Sequence, residues 1–555
     1  MNAPAPVMLE QADGPKDPAR NRSALQAWLA VTAIVLTSLL VTIAAMRHTS
    51  PTFDEITTGP GGARGFHTGT FDMMPDFPPV MQYLYGLPVY LSRPNYPAEV
   101  RTDTVPHRYV YAQQFMYDNG NDPERITFRT RLVASACAAL LILLTFLFAR
   151  AYFGTGAALL AASLVAFLPD VLAHGGIAYN DIAIAPAFLA ALWAVDAGLR
   201  RPAAWRGILA GALVSLAVGI KHSALILGPV AIALILLETA SRIQRRELRV
   251  WAPRFAIVLI AAALTGYLFQ VLLYRGDFSL SYLRASTMAA QAHIESGHGV
   301  AAYLLGTMTR EAPWYYYPVT FLYKTPVALH LLMLIALVGA IAAAPSMKWR
   351  EVAASSLRAP VIALLLFGAV LLRANLVIGF RYALPLLPII CVLVAAGAMY
   401  VWRTASTIVR AMIVLLPAAA AASSLAYYPH FVAYTSEYNT EPELGYTVFV
   451  DSSLDWGQGL LALRDWMREE NVESVYLSYF GSAVPAGYGI KYEPLISFFP
   501  LRPPPEPSAE KPRYVAISAT NLVGLYFTQD VFAQFRRIQP YRVLGHSMFI
   551  YEVPE

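Results

Sequence analysis

The chain has 555 residues, 57% hydrophobic and 14% charged, with a formal net charge of +5. Soluble domains carry roughly 25% charged residues, so this composition excludes an ordinary soluble enzyme and points to a polytopic membrane protein. The basic residues are dispersed over short loops rather than gathered on one face, which argues against a nucleic-acid partner.

A polar stretch, residues 1–23, reads as a cytoplasmic tail. Apolar runs near the roughly 20 residues that cross a bilayer as helix follow. They predict about eleven spans by that criterion, near 24–46, 130–149, 153–171, 182–199, 206–220, 223–237, 254–273, 318–343, 359–373, 381–401 and 409–427. The first run is longer than a signal-peptide core and lacks a clear cleavage site, so it is expected to remain as an anchor. Lys16, Arg20 and Arg22, then Arg200, Arg201 and Arg206, then Arg242, Arg245, Arg246, Arg249 and Arg254 collect on one side of these spans. Lys348, Arg350, Arg358, Arg403 and Arg410 continue the bias. Short cytoplasmic loops retain Lys and Arg, so the loops 47–129 and 274–317 and the tail 428–555 are expected outside, and 24–427 forms the membrane domain.

Inside the first loop, "DFPPVMQYLYGLPVYLS" is too Pro-broken for a span and suits the interface. The tail holds β-type runs ("YTVFV", "VESVYLSYF", "RYVAISA", "HSMFIYEV") and one amphipathic helix, "LLALRDWMREEN". These predict a small α/β domain. Cys137 and Cys391 both sit in apolar runs and read as small buried hydrophobes, not a disulfide or metal pair.

Ionisable residues at the outer ends of spans are expensive and usually functional. Asp54 and Glu55, Arg131, Asp181, Lys221 with His222, Lys324, Arg373 and Arg381 form such a set. Bases there suit an anionic head group, because phosphate takes charge-assisted hydrogen bonds from Arg and Lys. An acid suits removal of a proton from an attacking hydroxyl. A lipid-linked phosphosugar fits both halves. Each residue also has a plainer reading: snorkelling for the bases, helix capping for Asp54 and Asp181, a solvated neighbour for Glu55, and an aromatic belt for Tyr315, Tyr316 and Tyr317.

Several motifs then resemble one family. They are "FDE" at Phe53–Glu55, the Pro-Pro segment "PDFPPVMQYLYGLP", "RTRLV" with Arg131, "YNDIAIAPAFLAAL" with Asp181 and "GIKHSAL" with Lys221. "WYYYPVTFLYKTP", "RYALPLLPII" from Arg381 and "DSSLDWGQGLLAL" complete them in collinear order. The chain resembles polyprenyl-phosphate-dependent glycosyltransferases of the GT-C fold, the protein O-mannosyltransferases and lipid A aminoarabinose transferases. The resemblance implies a GT-C membrane domain with the small α/β domain facing the periplasm of a bacterial inner membrane. It implies Asp54 as general base and Glu55 as its assistant, Asp181 at the acceptor, and Arg131, Lys221, Lys324 and Arg381 around the carrier phosphate. Tyr315, Tyr316 and Tyr317 would contact sugar or lipid.

The activity implied is inverting transfer from a polyprenyl-phosphate sugar to a hydroxyl of a protein, lipid or glycan, with membrane lipids as the surroundings. No cofactor is required. His67, His107, His293 and His298 lie in outer loops without tight ligand spacing, so a divalent metal is possible but not expected. The rival is a transporter or flippase of lipid-linked sugars. It would show mirrored halves meeting at the midplane, whereas these charges gather at one face.

Overall fold

A computed structural model of the chain describes residues 18–98, 105–296, 302–343, 355–374, 377–502 and 511–553. Helices dominate. In chain order they are α1 (Pro18–Ala45), α2 (Glu55–Thr68), α3 (Pro79–Tyr90), α4 (Val105–Gln113), α5 (Pro123–Ala166) and α6 (Pro169–Gly175). Next come α7 (Asn180–Arg200), α8 (Ala204–Ile220), α9 (Leu227–Gln244), α10 (Leu248–Leu273) and α11 (Ser281–Ser296). Then follow α12 (Tyr316–Lys324), α13 (Val327–Ala343), α14 (Arg358–Leu371), α15 (Leu387–Trp402) and α16 (Thr407–Leu425).

Among the described residues, seven helices are long and apolar enough to cross a bilayer, and the bent pair α12–α13 makes an eighth if counted as one span. The chain is a multi-pass membrane protein. The difference from about eleven has local causes. The runs near 130–149 and 153–171 form one element, α5, whose two helical parts meet at Gly154 with φ 86°. α8 and α14 have only 17 and 14 residues. The run expected at 318–343 turns by 113° between α12 and α13. Thr325, ahead of Pro326, is extended (φ −126°, ψ 143°), because the proline ring disfavours helical backbone in the residue before it. α10 exposes Ile257, Ile260, Leu264, Leu268 and Leu272, an apolar surface suited to lipid.

The first loop folds into α2, α3 and α4. α3 starts with Pro79 at its first position, where a missing N–H costs nothing. α2 and α3 cross at Gly62 and Gly86, so closely that a Cβ on Gly62 would lie 2.0 Å from the Gln82 carbonyl oxygen. Only glycine permits that approach.

Beyond residue 428 the chain builds β3 (Val475–Ser478), β4 (Tyr492–Pro494), β5 (Tyr514–Ser518), β6 (Arg542–Leu544) and β7 (Met548–Glu552), with α17 (Leu460–Glu469) and α18 (Ala519–Val523). A separate hairpin, β1 (Ala302–Leu304) and β2 (Thr307–Thr309), precedes α12. The five-stranded sheet has order β4-β3-β5-β7-β6. β3 runs parallel to β4 and β5, while β7 runs antiparallel to β5 and β6. Three of the four β-type runs form strands of this sheet. The fourth, "YTVFV", does not: Pro442–Thr447 is a 3-10 turn, and Val448, Phe449 and Val450 are buried loop residues. The Val448 carbonyl accepts from the Leu305 amide at 2.7 Å, so the apolar side chains fill a core while the backbone pairs beside the β1–β2 hairpin.

Candidate active site

The segment that carries Asp54 is held from the far end of the sequence. The Ser50 amide donates to the Gln458 carbonyl at 3.1 Å and the Phe53 amide to the Trp456 carbonyl at 2.7 Å. Ser50 Oγ bridges the Gly457 carbonyl at 3.0 Å and the Leu460 amide at 3.1 Å. The "DWGQ" stretch is thus a clip. Gly457 has φ +91°, and a Cβ there would lie 2.7 Å from the Phe480 carbonyl oxygen, so the tight turn requires glycine. Gln458 secures its own turn, accepting from the Trp456 amide at 2.7 Å and donating to the Leu454 carbonyl at 2.8 Å. Asp455 Oδ2 accepts from the Thr520 amide at 2.9 Å, and burial pushes its carboxyl up to about 7.

Asp54 occupies the N-cap position of α2, yet its side chain makes no capping bond. Instead Oδ1 accepts from the Tyr109 hydroxyl at 2.6 Å, and Oδ2 lies 3.7 Å from an Arg381 nitrogen. Burial, followed by the Asp54 charge, holds the Tyr109 hydroxyl well above its usual range, so Tyr109 stays a donor. Asp54 opens on a cavity of about 700 Å³, within the range of small-molecule sites. Arg381, Lys221, Arg108, Asp76, Asp451, Tyr317 and Trp456 share its wall. Leu225, Val370, Leu371, Ala374 and Ile378, with the Phe367 ring, give it a largely aliphatic flank.

Two cations and a buried acid organise this wall. Lys221 follows the last residue of α8 and pairs with Asp181, on the first turn of α7. Arg381 reaches the other Asp181 oxygen at 3.4 Å. Its guanidinium lies over the Trp456 ring at 4.2 Å, an arrangement that fixes the plane without using its N–H donors. Arg381 Nε, Tyr317 OH, Asn180 Oδ1 and Arg108 Nε are buried, lack hydrogen-bond partners and belong to cavity-lining residues. Buried polar atoms are nearly always satisfied, so four such atoms on one wall mark a place for a polar ligand.

Of the other expected site residues, only Tyr317 lines the cavity. Glu55 is 3% exposed and accepts from the Thr52 and Ala178 amides and from Arg131 Nε and Nη2. Arg131, 1% exposed, spends its remaining donors on the carbonyls of Met46, Thr49 and Ser50. This pair joins α2 to α5 and offers no donor to a phosphate. Lys324 is likewise closed, donating to the Val432, Tyr434 and Ser453 carbonyls at 2.8, 3.1 and 3.0 Å. Asp181 is 0% exposed and pairs with Lys221 and Arg381. Of the three tyrosines, Tyr317 lines the cavity, Tyr316 is buried away from it and Tyr315 is exposed. His67 stacks on Tyr96 at 4.0 Å, and His298 lies outside the described residues.

Tyr109, Arg108, Asp76, Asp451, Trp456 and Tyr526 were not singled out as site residues from the sequence. "DSSLDWGQ" stands out as a motif, but its partner Ser50 lies 407 positions from Gly457. Arg108 and Asp76 pair at 2.7 Å, a pairing that no local spacing reveals.

Residues 125–274 match the family model for dolichyl-phosphate-mannose-protein mannosyltransferases. This is the family expected from the motifs, and the matched segment contains Arg131, Asp181 and Lys221. No curated protein matches the chain. Among solved structures, ArnT from Cupriavidus metallidurans bound to undecaprenyl phosphate has 12% identity, with 95% of this chain and 99% of that one covered, and a TM-score of 0.44. The same protein in the apo state gives 11% identity, 96% and 100% coverage and a TM-score of 0.45. The archaeal oligosaccharyltransferase AglB from Archaeoglobus fulgidus, in complex with an inhibitory peptide and a dolichol-phosphate, gives 14% identity and a TM-score of 0.43. That likeness covers 87% of this chain and 61% of AglB.

Proposed function

We propose that the chain is an inverting glycosyltransferase that moves a sugar from a polyprenyl-phosphate donor to a hydroxyl acceptor, working at the periplasmic face of a bacterial inner membrane. The observation that carries this reading is the single cavity in which Asp54 stands beside Arg381 and Lys221, with an aliphatic flank along one side. The family matched by residues 125–274 is named for a donor of this chemical kind.

In this scheme the carrier phosphate lies against Arg381 and Lys221, and the first isoprene units follow the aliphatic flank. Lys221 leaves part of its bond with Asp181 for the phosphate, and Arg381 contributes the donors that Asp181 and Asp54 hold only at long range. Asp54 takes the proton of the incoming hydroxyl while the hydroxyl oxygen bonds to the anomeric carbon. The bond from that carbon to the phosphate oxygen breaks on the opposite side, so configuration inverts in one displacement. The pair of electrons leaves on the polyprenyl phosphate, and the two cations neutralise the charge that develops there. No cofactor enters the scheme. The acceptor is a hydroxyl of a protein, lipid or glycan.

Asp54→Asn tests the base directly. Transfer from an undecaprenyl-phosphate-linked sugar in native membranes should fall by about 10²–10⁴-fold, the usual contribution of a positioned base. Binding of undecaprenyl phosphate itself should persist. Undiminished transfer in this variant removes the proposed mechanism.

A further inference from the structure

The scheme above leaves two cavity carboxylates idle, Asp76, which is paired with Arg108, and Asp451, which is not paired with a cation among the described residues. Asp451 comes from the C-terminal region, 7% exposed, on the wall shared with Arg381, Tyr382 and Tyr526. Its backbone has φ 55°, a conformation that Asp and Asn tolerate better than most residues. The Asp451 amide donates to Thr520 Oγ1 at 2.9 Å, and its carbonyl accepts from the Leu454 and Asp455 amides at 2.8 Å each. One carboxylate oxygen accepts from the Ser452 amide at 2.5 Å, the other from the Tyr526 hydroxyl. Tyr526 is itself fixed by stacking on Phe480, with centroids 5.5 Å apart and planes 6° from parallel.

The surroundings of Asp451 separate it from the other acids at the site. Asp76 is paired with Arg108, Asp181 with Lys221 and Arg381, and Asp54 faces Arg381. Among the described residues, Asp451 makes no ion pair; its two partners are neutral donors. Each carboxylate oxygen has room for a further hydrogen bond. A carboxylate with no direct ion-pair partner, though within the field of Arg381, in a cavity with unpartnered polar atoms on Tyr317 and Asn180, is suited to a neutral donor such as a ring hydroxyl. The first ring carried by a phosphate at Arg381 is the hydroxyl-bearing part that comes next to it.

We infer that Asp451 is a specificity-determining residue that accepts a hydrogen bond from a hydroxyl of the donor's sugar, with Tyr526 as the residue that positions its carboxylate. This rests on the reading of Arg381 and Lys221 as the phosphate site. The C-terminal domain then serves as the part of the site that recognises which sugar the carrier bears. Burial raises the Asp451 carboxyl to about 6, so it is a charged acceptor at neutral pH and becomes a weaker, neutral one as the medium becomes acidic.

The test compares four lipids on the purified full-length chain: undecaprenyl phosphate alone, and the same carrier linked to mannose, to glucose and to 4-amino-4-deoxyarabinose. The intact protein should bind at least one sugar-bearing lipid about tenfold more tightly than the bare carrier, roughly what one hydrogen bond to a charged acceptor supplies. Asp451→Asn keeps the backbone conformation accessible. It should leave bare-carrier binding unchanged and clearly weaken the preference, because a neutral amide oxygen replaces the charged acceptor, and Tyr526→Phe should weaken it too. A preference undiminished in Asp451→Asn, or its absence from the intact protein, overturns the inference. Failure of the bare carrier to bind, or its indifference to Arg381→Lys, overturns the phosphate reading instead, so the two failures are told apart.

Discussion

Arg131 and Arg381 look alike in sequence, each an arginine at one end of an apolar run, and the structure uses them in opposite ways. Arg131 makes six hydrogen bonds, two of them to Glu55, and has no donor left over. Arg381 lies over the Trp456 ring, touches its carboxylates only at 3.4 and 3.7 Å, and keeps Nε unpartnered beside the cavity. The lysines divide in the same way. Lys324 is saturated by three carbonyls, while Lys221 has one acid partner and lines the cavity. What distinguishes an open cation from a closed one is therefore the state of its donors. Burial does not separate them, since Arg381 is 4% exposed and Arg131 1%.

The sharpest way to break this comparison is Arg131→Ala. It leaves Glu55 charged and buried with two backbone amides as partners, and loss of one member of such a pair costs about 3–5 kcal/mol. Thermal unfolding in detergent should shift strongly downwards, and Glu55→Gln in the same chain should recover part of the loss. Material that remains folded should still bind undecaprenyl phosphate. Weakened lipid binding at an unchanged unfolding temperature would return Arg131 to the phosphate.

Arg381→Lys probes the open member of the pair and should behave the other way round. Lysine keeps the charge but lacks the planar fork that lies on Trp456 and presents several donors. Affinity for undecaprenyl phosphate should drop by about tenfold, equivalent to roughly 1.4 kcal/mol, while the unfolding temperature moves little. A large stability loss with intact affinity would place Arg381 with Arg131 among the structural cations.

The difference between these residues also shows how far sequence carries. Run length and Lys/Arg bias identify a polytopic membrane protein, because a bilayer imposes length and polarity on each segment separately. Three strands of the tail were readable for a similar reason: each is a contiguous apolar run. β4 and β6 were not, being three-residue strands that exist through their neighbours. Asp54 was legible as an acid in an unexpected place. Its partner Tyr109 was not, since nothing in "HRYVYAQQF" distinguishes the tyrosine that turns towards Asp54 from its neighbours. The acidic pair does not show that its two members diverge: Asp54 turns to the cavity and Glu55 to Arg131, 76 positions along the chain. Satisfaction of donors is a property of three-dimensional neighbours, so no local pattern separates Arg131 from Arg381.

The clip that positions Asp54 supplies the mildest test. Asp455 is the buried first residue of the "DWGQ" turn, and burial raises its carboxyl from the ordinary 3.8 to about 7 in the folded chain. Between those values the folded protein binds more protons at this site than the unfolded one, so the linkage slope is negative and stability falls as pH rises from about 4 to about 7. For a chain of this size the contribution corresponds to about 1–2 °C of unfolding temperature per pH unit, set against the other titrations. Asp455→Asn should flatten that component by removing the ionisation while preserving an acceptor for the Thr520 amide. It should also leave the Arg381 affinity for undecaprenyl phosphate untouched, because Trp456 is held by the backbone of the turn and by Gln458. If the pH slope persists in Asp455→Asn, the charge lost near neutrality belongs elsewhere. If lipid affinity falls with the slope, the clip and the phosphate site are mechanically one unit, and the division between closed and open cations has to be redrawn to include the turn beneath them.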